Sequence, residues 1–231
     1  MKKFLLASVA AAGVTLSAMS AQAGYIGTVP QGPTANNQVI APLTKIEGYY
    51  GANLYLVGGP AQITATLIGS EAGATNTFQW NGGTIFSISG TSPGGVGTLG
   101  SPVGTQSVFN NVLSGLLPFA FTSTIANGNV SNGSNIDPSN NKGNYFITLG
   151  NCTALACIDT TINGSTASSG TVAWLFFDDL GAGPDDNHDD LVVRLQITGG
   201  SFTTVPEPAT LGLLGAGLIG LGVAARRRRK V

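Results

Sequence analysis

The sequence predicts an all-β fold, an antiparallel β-sandwich of jelly-roll-like type, and three observations predict it. Charged residues make up only 9 % of the 231-residue chain while apolar residues keep 42 %, so core material is ample and disorder through lack of it is excluded. Glycine contributes 34 residues and, with Ser, Thr and Asn, cuts the chain into short apolar runs, the pattern of strands joined by turns. Several of those runs alternate, as Ile63, Ala65 and Leu67 do against Thr64 and Thr66, which is the period of a strand with one buried face. No self-similar period marks a solenoid, and the spacing of the runs favours a sandwich.

Taken in order, a Pro/Gly/Asn-rich lead-in runs to about Pro42, and Gly48 to Val57 is a strand candidate carrying Tyr49, Tyr50, Leu54, Tyr55 and Leu56. The alternating run at Ile63 to Leu67 follows. Phe78-Gln79-Trp80, Asn81-Gly82 and Thr84 to Ser89 read as a hairpin, because Asn-Gly supplies the positive φ that a tight turn requires. Pro93 to Gly104 is a Gly-rich loop. Val108, Val112 and Leu116 share one helical face, so Val108 to Leu117 is a short-helix candidate limited by Gly115 and Pro118. Phe119 to Ile125 is a strand, and Ala126 to Lys142 an exposed loop rich in Asn, Gly and Ser. Tyr145 to Leu149, Thr171 to Phe177 and Leu191 to Thr198 are the clearest late strands.

Both ends read as addresses. Lys2 and Lys3, then the apolar run Phe4 to Leu16, then Ala21-Gln22-Ala23 form a secretory signal peptide over residues 1–23, with signal peptidase cutting between Ala23 and Gly24. The remaining body spans residues 24–205. At the far end, Ala209 to Ala225 is an uninterrupted stretch of 17 apolar and small residues, about 25 Å long as a helix at ~1.5 Å per residue and near the short limit for a bilayer span. Arg226 to Arg229 and Lys230 follow at once and predict a cytoplasmic end. The sandwich is therefore expected to lie outside the inner membrane, flanked by an N-terminal signal helix and a C-terminal transmembrane helix. Gly212, Ala216 and Gly220 give the second of these a face of small residues.

The order Val205-Pro206-Glu207-Pro208, apolar stretch, Arg cluster resembles the PEP-CTERM sorting signal of Gram-negative bacteria across Val205 to Val231. The resemblance implies that Pro206, Glu207 and Pro208 are the motif recognised by an exosortase, a multi-pass membrane protease that releases the tail, so that residues 206–231 are a sorting unit. Proline fixes φ and lacks an N–H, which keeps the segment extended before the span. The implied route is an inner-membrane intermediate and then the cell surface or the extracellular space.

Within the body only Lys45, Lys142 and Arg194 oppose ten acidic residues, a net charge of −7, which disfavours nucleic-acid binding. Cys152 and Cys157 are the only cysteines; in an oxidising compartment they suggest one disulfide closing a small loop. Asn129, Asn132, Asn151 and Asn163 each begin an N-x-[ST] sequon, which in this composition carries little weight.

One constellation carries chemistry. Residues 178–190 hold six Asp, Asn187 and the only histidine, His188, a density of like charge that must be solvated or neutralised. Exported bacterial proteins that share this tail often carry a similar acidic segment of the form Gly-Asp-x-Asp-aromatic-Asp-Asp-Leu-Val-Val. Asp185, Asn187, Asp189, Asp190, Leu191, Val192 and Val193 match it, with His188 in place of the aromatic and Asn187 in place of an Asp. Asp179, Asp185, Asn187, Asp189 and Asp190 are the candidate ligands for a structural Ca²⁺, which takes hard oxygen donors; the EF-hand spacing is not met. The other reading is a solvated acidic loop whose Asp side chains cap backbone N–H groups.

Catalysis fits poorly, since no G-x-S-x-G elbow appears and a triad would have to use His188. The expected function is non-enzymatic: a structural or adhesive protein of an exopolysaccharide or biofilm matrix. The alternatives are a Ca²⁺-dependent carbohydrate-binding module, which would expose an aromatic patch, and an exported hydrolase working through paired carboxylates. Trp80 and Trp174 are expected in the sandwich core.

Overall fold

The computed structural model describes residues 25–29, 46–89, 99–100, 103–135, 142–151, 153, 167–180 and 188–204. Among these the chain forms sixteen strands and no helix. In chain order they are β1 (Tyr25–Val29), β2 (Ile46–Tyr50), β3 (Tyr55–Val57), β4 (Ala61–Gly69), β5 (Thr75–Trp80), β6 (Gly83–Ser89), β7 (Leu99–Gly100) and β8 (Gln106–Val112). The second half adds β9 (Gly115–Leu116), β10 (Phe119–Ser123), β11 (Val130–Ser131), β12 (Asn144–Gly150), β13 (Ser169–Gly170), β14 (Val172–Asp178), β15 (Leu191–Thr198) and β16 (Ser201–Thr203). They assemble into a seven-stranded sheet in the order β1-β2-β12-β14-β15-β4-β8, a five-stranded sheet β11-β10-β5-β6-β7 and a four-stranded sheet β13-β16-β3-β9. Neighbouring strands run antiparallel, as in the long β12–β14, β14–β15 and β15–β4 ladders.

Alternation decides which side chains meet. Ile63, Ala65 and Leu67 of β4, Val193, Leu195 and Ile197 of β15, and Leu175 and Phe177 of β14 share one face of the large sheet. They pack into a single core with Phe78 and Trp80 of β5, Phe86 and Ile88 of β6, and Phe119 and Phe121 of β10. Phe121 stacks on Phe177 with ring centroids 4.8 Å apart and planes 6° from parallel, joining the five-stranded sheet to the large one. Trp80 stacks on Phe109 of β8 at 4.1 Å. Sheets facing each other across such a core are the layered solution for strands that are apolar on one side. A smaller cluster, Tyr50, Phe146, Trp174, Phe176 and Val192 among others, lies on the opposite face of the large sheet. That second cluster explains why β12 and β14 are buried along their whole length and read as continuous apolar runs.

The all-β antiparallel expectation holds, with both tryptophans buried as expected. Two local expectations do not hold. Val108 to Leu117 is not a helix but β8 and β9. β8 pairs with β4, and a shift of register opposite Ala61 and Ile63, beside Asn111 (φ 55°), turns both Phe109 and Val112 inward although they are three residues apart. β9 pairs with β3, and Gly115 takes φ 127°. The strand expected over Gly48 to Val57 is two strands in different sheets, split at Gly51, whose φ of 62° suits glycine. The loop from Ala126 to Lys142 is only partly exposed, since Asn132 and Asn135 are buried. The expected signal helix and membrane helix lie outside the described residues. Among the described residues no helix is long and apolar enough to cross a membrane.

One glycine fixes how β2 joins the sheet. A Cβ built on Gly48 would stand 2.2 Å from the Ile147 carbonyl oxygen and 2.8 Å from the Phe146 ring. Gly48→Ala is therefore expected to lower the unfolding free energy by about 3 kcal/mol, above the middle of the overpacking range because backbone must move. Urea unfolding of the variant against the parent checks it.

Candidate functional site

The apolar rows of the two facing sheets end in polar residues, and the candidate site lies at that end. On β5 the inward positions run Asn76, Phe78, Trp80, and on β10 they run Phe119, Phe121, Ser123. Asn76 sits directly opposite Ser123 in the β5–β10 ladder, so their side chains share a face about 5 Å apart. On the opposing sheet Phe177 is followed two residues later by Asp179. The Phe121–Phe177 contact is thus continued outward by Ser123 and Asp179, and the Ser123 hydroxyl donates to Asp179 Oδ2 at 3.0 Å.

Around that row the structure gathers the acids from both sides of the β14–β15 connection. Asp178 and Asp179 leave β14, while Asp189 and Asp190 enter β15. Asp178, Asp179 and Asp189 are buried. The Asp179 N–H donates to Asp190 Oδ2 at 2.7 Å, and the Leu180 N–H to Asp178 Oδ1 at 2.8 Å. The β4–β5 turn closes the site from the other side. The Glu71 N–H donates to the Asp189 carbonyl at 2.8 Å, and the Ser70 hydroxyl and the Asn76 Nδ2 both donate to the Asp190 carbonyl. Asn76 is wholly buried, and among the described residues neither its Oδ1 nor the enclosed Glu71 Oε2 has a hydrogen-bond partner.

The electrostatics follow from this crowding. Burial first, and then the negative charge of Asp179, push the Asp190 carboxyl up to about 9; Asp178 and Asp189 add to the rise, while the hydrogen bond from the Asp179 N–H opposes it. A carboxyl in such surroundings holds a proton at neutral pH or needs a cation beside it.

His188 is the pin of the segment. It is fully enclosed, adopts φ 52°, and packs edge-on against Tyr50 and Phe146 at centroid distances of 5.4 and 6.4 Å. The Asn144 amide donates through Nδ2 to the Lys142 carbonyl at 3.3 Å and presents Oδ1 to His188 Nε2 at 2.6 Å. That orientation puts the imidazole proton on Nε2. Nδ1 lies 3.8 Å from Asp178 Oδ2.

The structure brings together three of the five expected metal ligands, Asp179, Asp189 and Asp190, all within one stretch of polar contacts. Asp185 and Asn187 lie outside the described residues, as do Cys152 and Cys157, Ala23 and Gly24, and Pro206, Glu207 and Pro208. Among the described residues no three His, Cys, Asp or Glu side chains are placed to hold a metal ion by themselves. His188 takes a positive φ, so the backbone is not extended at that residue. Sequence reasoning missed Asn76, Ser123 and Asn144. The signal for Asn76 was present: in Thr75-Asn76-Thr77-Phe78-Gln79-Trp80 it has the parity of the two buried aromatics.

Three comparisons bear on function. Residues 204–229 match the family model described as PEP-CTERM protein-sorting motif. Such a signal indicates export, processing by an exosortase, which is a membrane protease, and delivery to the cell surface. No curated protein and no solved structure matches the chain.

Proposed function

With a PEP-CTERM protein-sorting motif at residues 204–229 as the premise, we propose that this chain is a non-enzymatic protein of the cell surface or extracellular matrix, structural or adhesive within exopolysaccharide. On this reading signal peptidase cuts after Ala23 and an exosortase acts at Pro206-Glu207-Pro208, leaving the sandwich of residues 24–205 outside the cell with no nucleic-acid partner. The motif match is the observation that carries the reading.

The surface of the large sheet supports the adhesive part. Outward positions of β15, β4 and β8 form rows set by the ladder register: Gln196, Thr64 and Val108, then Thr198 and Gln62, whose amide donates to Asn110 Oδ1 at 2.8 Å. Gln62, Gln106, Val108, Asn110 and Thr198 are exposed. Among the described residues these rows present amides and hydroxyls and no carboxylate, in a body that is otherwise acidic, and such groups donate to and accept from sugar hydroxyls equally well. Arg194, at the border of the face, is engaged: it stands over Trp174 at 5.6 Å and donates to the Thr153 carbonyl at 2.6 Å. The enclosure of His188, the only histidine, supports the non-enzymatic reading.

Intact-mass measurement of the protein recovered from the surface or medium of its host tests the proposal. The expected mass corresponds to a chain starting at Gly24 and ending near Pro206 to Pro208, with or without added glycan. Glu207→Ala is expected to leave most of the chain in the membrane fraction with its tail intact. Recovery of the parent chain with Arg226 to Lys230 still attached, in the inner membrane, would overturn the matrix reading.

A further inference from the structure

We propose that Asp179, Asp190 and the Asn76 amide oxygen bind one Ca²⁺ that clasps the five-stranded sheet to the large sheet at the end of the core. The carboxylates come from the β14–β15 connection and the amide from β5, so the ion would tie together elements separated by about a hundred residues of chain.

Two independent observations meet here. The first is an excess of enclosed negative charge, with Asp178, Asp179 and Asp189 buried around Asp190. The second is Asn76, an amide in an inward position of a core strand. Its Nδ2 reaches the Asp190 carbonyl at 3.3 Å, and its Oδ1 is buried with no hydrogen-bond partner among the described residues. Its ladder neighbour Ser123 touches Asp179 at 3.0 Å, so the amide and the carboxylates occupy the same end of the sandwich. A buried acceptor left without a donor is destabilising by roughly 1–3 kcal/mol, and a cation satisfies it directly. Glu71 Oε2, also without a partner among the described residues, stands on the turn that holds Asp189.

The donor chemistry selects the ion. All three donors are hard oxygens, with no thiolate or imidazole among them, which suits Ca²⁺ over zinc or copper. Ca²⁺ accepts irregular sets of six to eight oxygens at about 2.3–2.6 Å, with water completing the shell, whereas Mg²⁺ demands a tighter octahedron. Among the described residues no three carboxylates are placed to hold the ion by themselves, so the proposed site depends on the amide.

The full exported chain, stripped with EDTA and returned to metal-free buffer, is titrated with CaCl₂ and followed by calorimetry and thermal unfolding. The expected result is one Ca²⁺ per chain with a Kd of about 10⁻⁴–10⁻³ M, the range of extracellular sites, a rise in Tm at saturation, and a smaller rise with equal Mg²⁺. Asn76→Ala is expected to weaken Ca²⁺ binding about tenfold or more. Asn76→Asp, the variant to use if alanine fails to fold, is expected to tighten Ca²⁺ binding and to lower the Tm in EDTA. Asp190→Asn is expected to lose the Ca²⁺ response while melting at or above the parent in EDTA, since a neutral amide avoids the burial and crowding by acids that oppose an ionised carboxyl at that position. A parent chain with no Ca²⁺-dependent heat or Tm change overturns the proposal, as does parent-like Ca²⁺ affinity in Asn76→Ala or Asp190→Asn. Surface delivery is read separately by mass, so failure here leaves the sorting reading standing.

Discussion

Asn135→Ala is expected to lower the unfolding free energy by about 3–5 kcal/mol, a loss normally associated with a large apolar side chain. Asn135 is wholly buried. Its Oδ1 accepts from the Tyr145 N–H at 3.1 Å, and its Nδ2 donates to the Ala52 and Tyr145 carbonyls at 2.7 and 2.8 Å. Each bond contributes about 1 kcal/mol net, and truncation also leaves their backbone partners enclosed and unpaired, at roughly 1–3 kcal/mol for each such group. The neighbouring Asn132 does the same for Leu54 and Leu117 and accepts from the Tyr145 hydroxyl at 2.7 Å. Burial holds that hydroxyl well above its usual range, with a further push from Tyr55, so it remains a donor. Asn135→Asp is expected to be worse than alanine, because it turns a carboxylate toward two carbonyl oxygens. Asn129→Ala is the control. Asn129 is exposed and accepts one bond, from the Ser123 N–H at 2.9 Å, so a change under about 1 kcal/mol is expected. Urea unfolding of the three variants settles the order.

Replacing His188 by alanine is the second large effect, with an expected loss of about 3 kcal/mol. Two contributions add: the cavity left between Tyr50 and Phe146 and the Asn144 Oδ1 stripped of its donor. The left-handed backbone at His188 remains in the variant, so no strain is relieved to compensate. For a domain of this size the Tm is expected to fall by roughly 6–12 °C. His188→Gln, which can donate again to Asn144, is expected to recover part of the loss. A histidine lying in solvent would give no change in either variant, and differential scanning calorimetry distinguishes the two cases.

Much of the fold was legible in the residues alone. The alternation at Ile63 to Leu67, the hairpin signal Asn81-Gly82 between Trp80 and Thr84, and the apolar runs at Tyr145, Val172 and Leu191 all became strands. Those signals are local: a period of two and a turn residue with positive φ need no distant partner to be recognised. The sorting signal was equally legible, because a recognition motif, an apolar stretch and a basic cluster are arranged along the chain itself.

Where the sequence failed, two structures shared one local pattern. Val108, Val112 and Leu116 suit a helix face, and the same residues make β8 and β9 once β4 and β3 offer ladder edges; only the partner strands decide. Tyr50 and Tyr55 sit in one apolar run but belong to different sheets, because Gly51 turns the backbone between them. The acidic segment shows the largest gap. Composition by itself determined that residues 178–190 concentrate negative charge on an exported β-protein. Tertiary structure decided that Asp178, Asp179, Asp189 and His188 are enclosed, and that Asn76, Ser123 and Asn144 face them from β5, β10 and β12. The physical reason is that burial and charge pairing depend on what the fold lays opposite a residue, and here the opposing groups stand some 40 to 120 positions away along the chain.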